Sequence, residues 1–101
     1  MLSSTSQDES AYDSLSVSIS EMRIRTGTET HDLTRGETEL LAVLIQHAPA
    51  PLPVRRIAEL LDARRGTIES RIKSLRRKLG GGRLVSRGGL GYQLVHERRE
   101  E

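Results

Sequence analysis

The sequence predicts a small α+β domain, with short strands first, then three helices, then a C-terminal hairpin. Three observations carry this. Apolar residues alternate with polar ones through Leu15, Val17 and Ile19 and again through Met22 and Ile24, the period of a half-buried strand. Between Thr34 and Leu79 the apolar residues instead recur every three to four positions, the period of a helix with one buried face. Beyond Gly80-Gly81-Gly82, two short apolar runs flank Arg87-Gly88-Gly89, which reads as a hairpin. A chain of 101 residues has room for one such domain.

Residues 1–14 are rich in Ser and acid and show no period, so they are expected to form a disordered acidic tail. The folded domain is expected to span 15–95, with 96–101 as a charged C-terminal tail. Ser20-Glu21 and Thr26-Gly27-Thr28 are turn candidates, and Thr28 to Leu33 a further short strand. The strands together predict a small antiparallel sheet.

Thr34-Arg35-Gly36-Glu37 fits a capping box, in which the Thr hydroxyl and the Glu carboxylate satisfy each other's backbone N–H. A helix to about Ala48 follows, with Leu40, Leu41, Leu44, Ile45 and Ala48 on one face. Pro49-Ala50-Pro51-Leu52-Pro53 ends it, because Pro disfavours a helical residue before it. Pro53 can open a second, short helix of roughly 53–61, with Val54, Ile57, Ala58 and Leu61 inward. Asp62 to Gly66 reads as a compact connection, and Thr67 as the cap of a third helix ending near Leu79. Ile68, Ile72, Leu75 and Leu79 form its buried stripe. Gly80 stops it, since Gly enters the left-handed region without penalty. Leu84-Val85 and Leu90 to Val95 are the two hairpin strands.

Composition removes several function classes. There is no Cys, which excludes disulfides and thiolate-bound zinc. No apolar run reaches the ~18 residues of a membrane span, and no signal-peptide pattern opens the chain, so a cytoplasmic protein without membrane partners is expected. Tyr12 and Tyr92 are the only aromatics, too few for a base-stacking platform. His31, His47 and His96 lack metal-ligand spacing, the glycines do not form a phosphate-binding loop, and no nucleophile–base pair stands out. Neither a cofactor, a metal nor an enzymatic activity is expected.

Charge supplies the positive signal. The net charge is only +2, but residues 51–95 hold eleven Lys and Arg against Glu59, Asp62 and Glu69. Such a field favours a polyanion. From Arg64 to Lys78 there are seven cations and one acid. Opposite the stripe of the third helix lie Thr67, Ser70, Lys73, Ser74 and Arg77, with Arg71 and Lys78 at its flanks. A helix with small hydroxyl residues outward can press into a major groove about 12 Å wide, where long Arg side chains reach guanine edges or phosphates. A basic helix face can equally be plain solvated surface. The hairpin behind it adds weight: a short second helix, a tight turn and a basic third helix make a helix-turn-helix, and the Gly-rich hairpin carrying Arg83 and Arg87 makes a wing.

On these residues a family resemblance stands. Leu33-Thr34 with Glu37, Leu40 and Leu41 resembles the opening of the C-terminal effector domain of OmpR/PhoB-type response regulators. Thr67-Ile68-Glu69 through Ile72 to Leu79 resembles its recognition helix, and Leu84 to Tyr92 its wing, which typically ends Gly-x-Gly-Tyr. The resemblance covers residues 15–95 and implies a bacterial winged helix that binds double-stranded DNA and regulates transcription, often as tandem dimers. By position it implies groove contacts for Thr67, Ser70, Arg71 and Ser74; of these Arg71 is the first choice for a base contact, because only a bidentate Arg discriminates guanine strongly from this face. It implies phosphate contacts for Lys73, Arg76 and Arg77, a backbone or minor-groove contact for Arg87, and a closing aromatic in Tyr92. Arg64, Arg65, Lys78 and Gly88 complete the expected DNA-binding set.

The residues present include no receiver domain, so control by phosphorylation in cis is not expected. The connection between the second and third helices is shorter than the family's polymerase-touching loop, which shifts the expectation from activation toward repression or an architectural role. Arg87 also stands one place early in the family's wing pattern. The implied partners are duplex DNA, RNA polymerase or another regulator, and a second copy on DNA, in a nucleoid-associated setting. The rival reading is a winged helix that docks an acidic protein without reading DNA.

Overall fold

The computed structural model describes residues 9–12, 15–27, 29–80 and 82–95. Four strands come first: β1 (Glu9–Tyr12), β2 (Leu15–Ser18), β3 (Arg23–Thr26) and β4 (Glu29–Asp32). They form one antiparallel sheet in chain order. Cross-strand partners such as Val17 with Ile24 place Leu15, Val17 and Ile24 on the buried face. Three helices follow, α1 (Arg35–His47), α2 (Val54–Leu61) and α3 (Arg65–Leu79), then a hairpin of β5 (Leu84–Ser86) and β6 (Tyr92–Leu94).

The sheet carries the first departure from expectation. Glu9–Tyr12 lies inside the stretch expected to be tail, yet it pairs with β2 along its whole length, Glu9 with Ser18 through Tyr12 with Leu15. The open edge of β2 presents unpaired N–H and C=O groups, a template that composition does not show. The expectations for residues 1–8, 13, 14 and 96–101 lie outside the described residues. Met22, read as a strand residue, instead ends the β2–β3 turn with φ 53° and is exposed.

The helices follow the sequence closely. Thr34 and Glu37 complete the capping box: the Glu37 N–H donates to Thr34 Oγ1 at 3.1 Å, and the Thr34 N–H donates to Glu37 Oε1 at 2.9 Å. Leu40, Leu41 and Leu44 of α1, Ile57 of α2, and Ile68, Ile72, Leu75 and Leu79 of α3 are buried together with Leu33, Leu52, Leu84 and Leu94. Each such side chain contributes roughly 1.5–3 kcal/mol of hydrophobic stabilisation.

The cap of α3 differs from expectation. Thr67 sits within the first turn, and the N-cap is Arg64, whose extended backbone makes no side-chain capping bond. The reason lies one turn earlier. Asp62 ends α2 in the left-handed region (φ 52°), which short polar residues tolerate, so the chain reverses within three residues and α3 starts early.

The wing is also shorter than expected. Gly88–Leu90 forms a 3-10 turn, which delays β6 to Tyr92. A backbone pair that the sequence did not suggest anchors it: the Leu52 N–H donates to the Tyr92 carbonyl at 2.8 Å, and the Tyr92 N–H donates back at 2.9 Å. Gly91 (φ 107°) makes this approach feasible, because a Cβ there would stand 2.1 Å from the Leu52 carbonyl oxygen.

Candidate nucleic-acid interface

With 15 residues, α3 is about 22 Å long, and its buried stripe fixes which side faces out. Ser70, Lys73 and Arg77 run along the outer side, with Thr67 in the first turn; all four are exposed. Among the described residues, neither Lys73 nor Arg77 has an ion-pair partner. Arg64 is exposed at the helix start, and Arg65 beside it donates from Nε to Glu69 at 3.2 Å.

A second row of α3 residues, Arg71, Ser74 and Lys78, turns toward α1, and all three are half-buried. The Ser74 hydroxyl donates to Glu37 Oε2. Lys78 Nζ donates to Glu37 Oε1 at 2.7 Å and to the Asp32 carbonyl at 2.9 Å. Glu37 therefore serves both its own helix cap and two donors from α3. Burial pushes its carboxyl upward, but the Lys78 and Ser74 hydrogen bonds, the Thr34 N–H and the Lys78 charge together outweigh burial. They hold it below its ordinary value of 4.5. Arg71 lies against Gly36, where a Cβ would stand 2.4 Å from its Nε.

The third side of α3 faces the wing. Arg76 Nε donates to the Leu84 carbonyl at 3.1 Å, and its guanidinium carbon stands 5.7 Å from the centroid of the Tyr92 ring. Arg83, which the sequence places with Arg87 on the wing, is buried, with Nη1 donating to the Leu79 carbonyl at 2.8 Å. A cation near the last carbonyls of a helix satisfies them and complements the dipole, which explains its position. Arg87 and Gly88 are exposed at the wing turn. Arg87 Nε donates to the Gln93 side-chain oxygen, whose amide donates in turn to the Pro49 carbonyl.

The structure thus leaves Arg64, Arg65, Thr67, Ser70, Lys73 and Arg77 exposed on α3 and its N-cap, and Arg87 and Gly88 exposed on the wing. It engages Ser74, Lys78, Arg76 and Tyr92 in contacts within the chain. The capping role of Glu37 was legible, but its bonds to α3 and the roles of Arg83, Gln93 and Leu52 escaped the sequence, because each depends on tertiary packing rather than on local pattern. Among the described residues no group of His, Asp or Glu could hold a metal ion, and no helix is long and apolar enough to cross a membrane.

No protein-family model matches the chain, and no curated protein matches it in sequence. Solved structures do. The DNA-binding domain of Escherichia coli CadC superposes with TM-score 0.79 at 17% identity, covering 91% of this chain and 95% of that one. The DNA-binding domain of E. coli CpxR gives 0.73 at 25% identity, covering 89% and 98%. The Klebsiella pneumoniae RstA DNA-binding domain, in complex with the RstA box, gives 0.74 at 19% identity, covering 88% and 98%. The fold is a winged helix-turn-helix. Its arrangement of N-terminal sheet, three helices and hairpin is that of the OmpR/PhoB-type effector domains the sequence resembles.

Proposed function

We propose that this protein is a transcription regulator that binds duplex DNA sequence-specifically, with α3 in the major groove and the wing on the flanking backbone. The observation that carries this is the outer row of α3, where small Ser70 and long Lys73 and Arg77 stand exposed without intramolecular partners. The helix fits the width of the groove, and the hydroxyl residues let its backbone approach. Lys73, Arg77, Arg64 and Arg65 contact phosphates, and Arg87 and Gly88 reach the flanking sugar-phosphate backbone. Thr67 and Ser70 face base edges, and Arg71 reaches a guanine by swinging off Gly36. The solved RstA domain in complex with its box, and the AdeR DNA-binding domain in complex with an intercistronic region, support the reading by analogy of fold. One winged helix reads few base pairs, so a second copy on DNA supplies the remaining specificity. RNA polymerase or another regulator is the protein partner, and the nucleoid is the place of action.

The test is a titration with mixed-sequence duplex against salt. If about five phosphates are neutralised, log K falls against log[salt] with a slope near −4.5. Arg77→Ala then makes the slope shallower by about 0.9 and weakens all sequences alike, whereas Lys78→Ala leaves the slope unchanged because its ammonium is engaged by Glu37. No binding at micromolar protein in about 50 mM salt, where the electrostatic attraction is strong, would sink the proposal and favour an acidic protein partner.

A further inference from the structure

The wing is a slight structure for a grip on DNA. Its strands have three residues each, and a two-stranded hairpin has marginal stability alone. Its inner end is well held: Leu84 and Leu94 are buried, Arg83 binds the end of α3, and Leu52 pairs with Tyr92. None of these contacts joins a side chain of α3 to both strands through a hydrogen bond and a ring contact. Arg76 does. It donates to the Leu84 carbonyl in β5 and lies over the Tyr92 ring in β6, while its backbone belongs to the helix that carries Lys73 and Arg77.

The side chain suits that task. A guanidinium is planar, so it can stack on a ring through its face and donate through its edge at once; an ammonium on a flexible stem cannot. Were Arg76 only a phosphate contact, a Lys would serve nearly as well. The Tyr92 ring would then be an incidental neighbour.

We propose that Arg76 is a positioning residue that clamps the wing to α3 and so fixes where Arg87 stands relative to the outer row of the helix. The clamp itself is a property of the free protein. Its consequence for Arg87 rests on the DNA-binding reading above.

The experiment has two arms, both on the full chain. In the first, without DNA, amide hydrogen exchange is followed at Leu84–Ser86 and Tyr92–Leu94. Arg76→Lys and Tyr92→Leu speed exchange there by about tenfold while α1 amides keep their wild-type rates, and Tyr92→Phe, which retains the ring, stays near wild type. Unchanged wing exchange in Arg76→Lys overturns the clamp.

In the second arm, mixed-sequence duplex is titrated. Arg76→Lys weakens binding by about tenfold at an unchanged salt slope, because the charge is kept and only the geometry is lost. Arg87→Ala then costs far less in the Arg76→Lys background than in the wild type. Full additivity of the two losses overturns the positioning role. If the wild type fails to bind duplex at all, the functional reading falls, and the exchange arm still decides the clamp.

Discussion

Arg71, Ser74 and Lys78 form one row of α3, and Ser70, Lys73 and Arg77 form another. Both have the same spacing and the same make-up, one serine and two long cations. They differ by one residue, about 100° around the axis. That rotation turns the first row toward Gly36 and Glu37 of α1 and leaves the second exposed. The first row joins two helices, and the second is left for a partner. Cationic character along a helix therefore does not tell which cations stay free: Glu37 takes up Lys78, and the wing takes up Arg76.

The comparison breaks most directly at that acid. Glu37→Ala leaves the Thr34 N–H, the Ser74 hydroxyl and the Lys78 ammonium without their acceptor. It is expected to cost about 2–3 kcal/mol in urea unfolding, whereas Ser70→Ala on the outer row stays within about 0.5 kcal/mol. Equal effects at the two sites would show that the rows do not differ.

A smaller effect comes from pH. The unfolded chain protonates Glu37 near its ordinary value and the folded protein at a lower one, so between the two the unfolded state binds more protons. The stabilisation is complete above pH 4.5 and is lost as pH falls through the folded value. Unfolding midpoints measured on the wild type should drop over that interval, and Glu37→Gln should flatten the drop. A parallel decline in both proteins would mean that other carboxylates dominate.

The smallest effect on stability is expected at Gly36. An added methyl displaces the Arg71 side chain rather than backbone, and the gain in helix propensity is about 0.5–1 kcal/mol, so Gly36→Ala should change stability by less than about 1 kcal/mol. Its signature is in readout: with Arg71 pushed off α1, selection from randomised sites should alter the preference at one base position. An unchanged motif would remove Arg71 from the base-reading set.

Much of the fold was legible in the residues because the signals are local. The Thr34–Glu37 box, the buried stripe of α3 and the stop at Gly80 each fall within a few residues of their cause. Helical period also placed Ser70, Lys73 and Arg77 outward, but it placed Ser74 with them, and the structure turns Ser74 to Glu37 instead. β1 was missed because pairing with β2 depends on an open edge rather than on β1's own composition. The start of α3 was misplaced because the left-handed Asp62 shortened the turn. Arg83 carried the same formal charge as Arg87, and only the packing of the α3 terminus separates one as a cap from the other as a wing cation.

By itself the sequence determined the order of elements, the face of each helix that goes inward and the excess of positive charge after Pro51, since periodicity and composition act over short stretches of chain. Only the tertiary structure decided which of those charges stay outward. That choice depends on Glu37, Leu84 and Tyr92 arriving beside α3 from distant positions, and a hydrogen bond across 37 or 41 residues leaves no periodic trace in the chain.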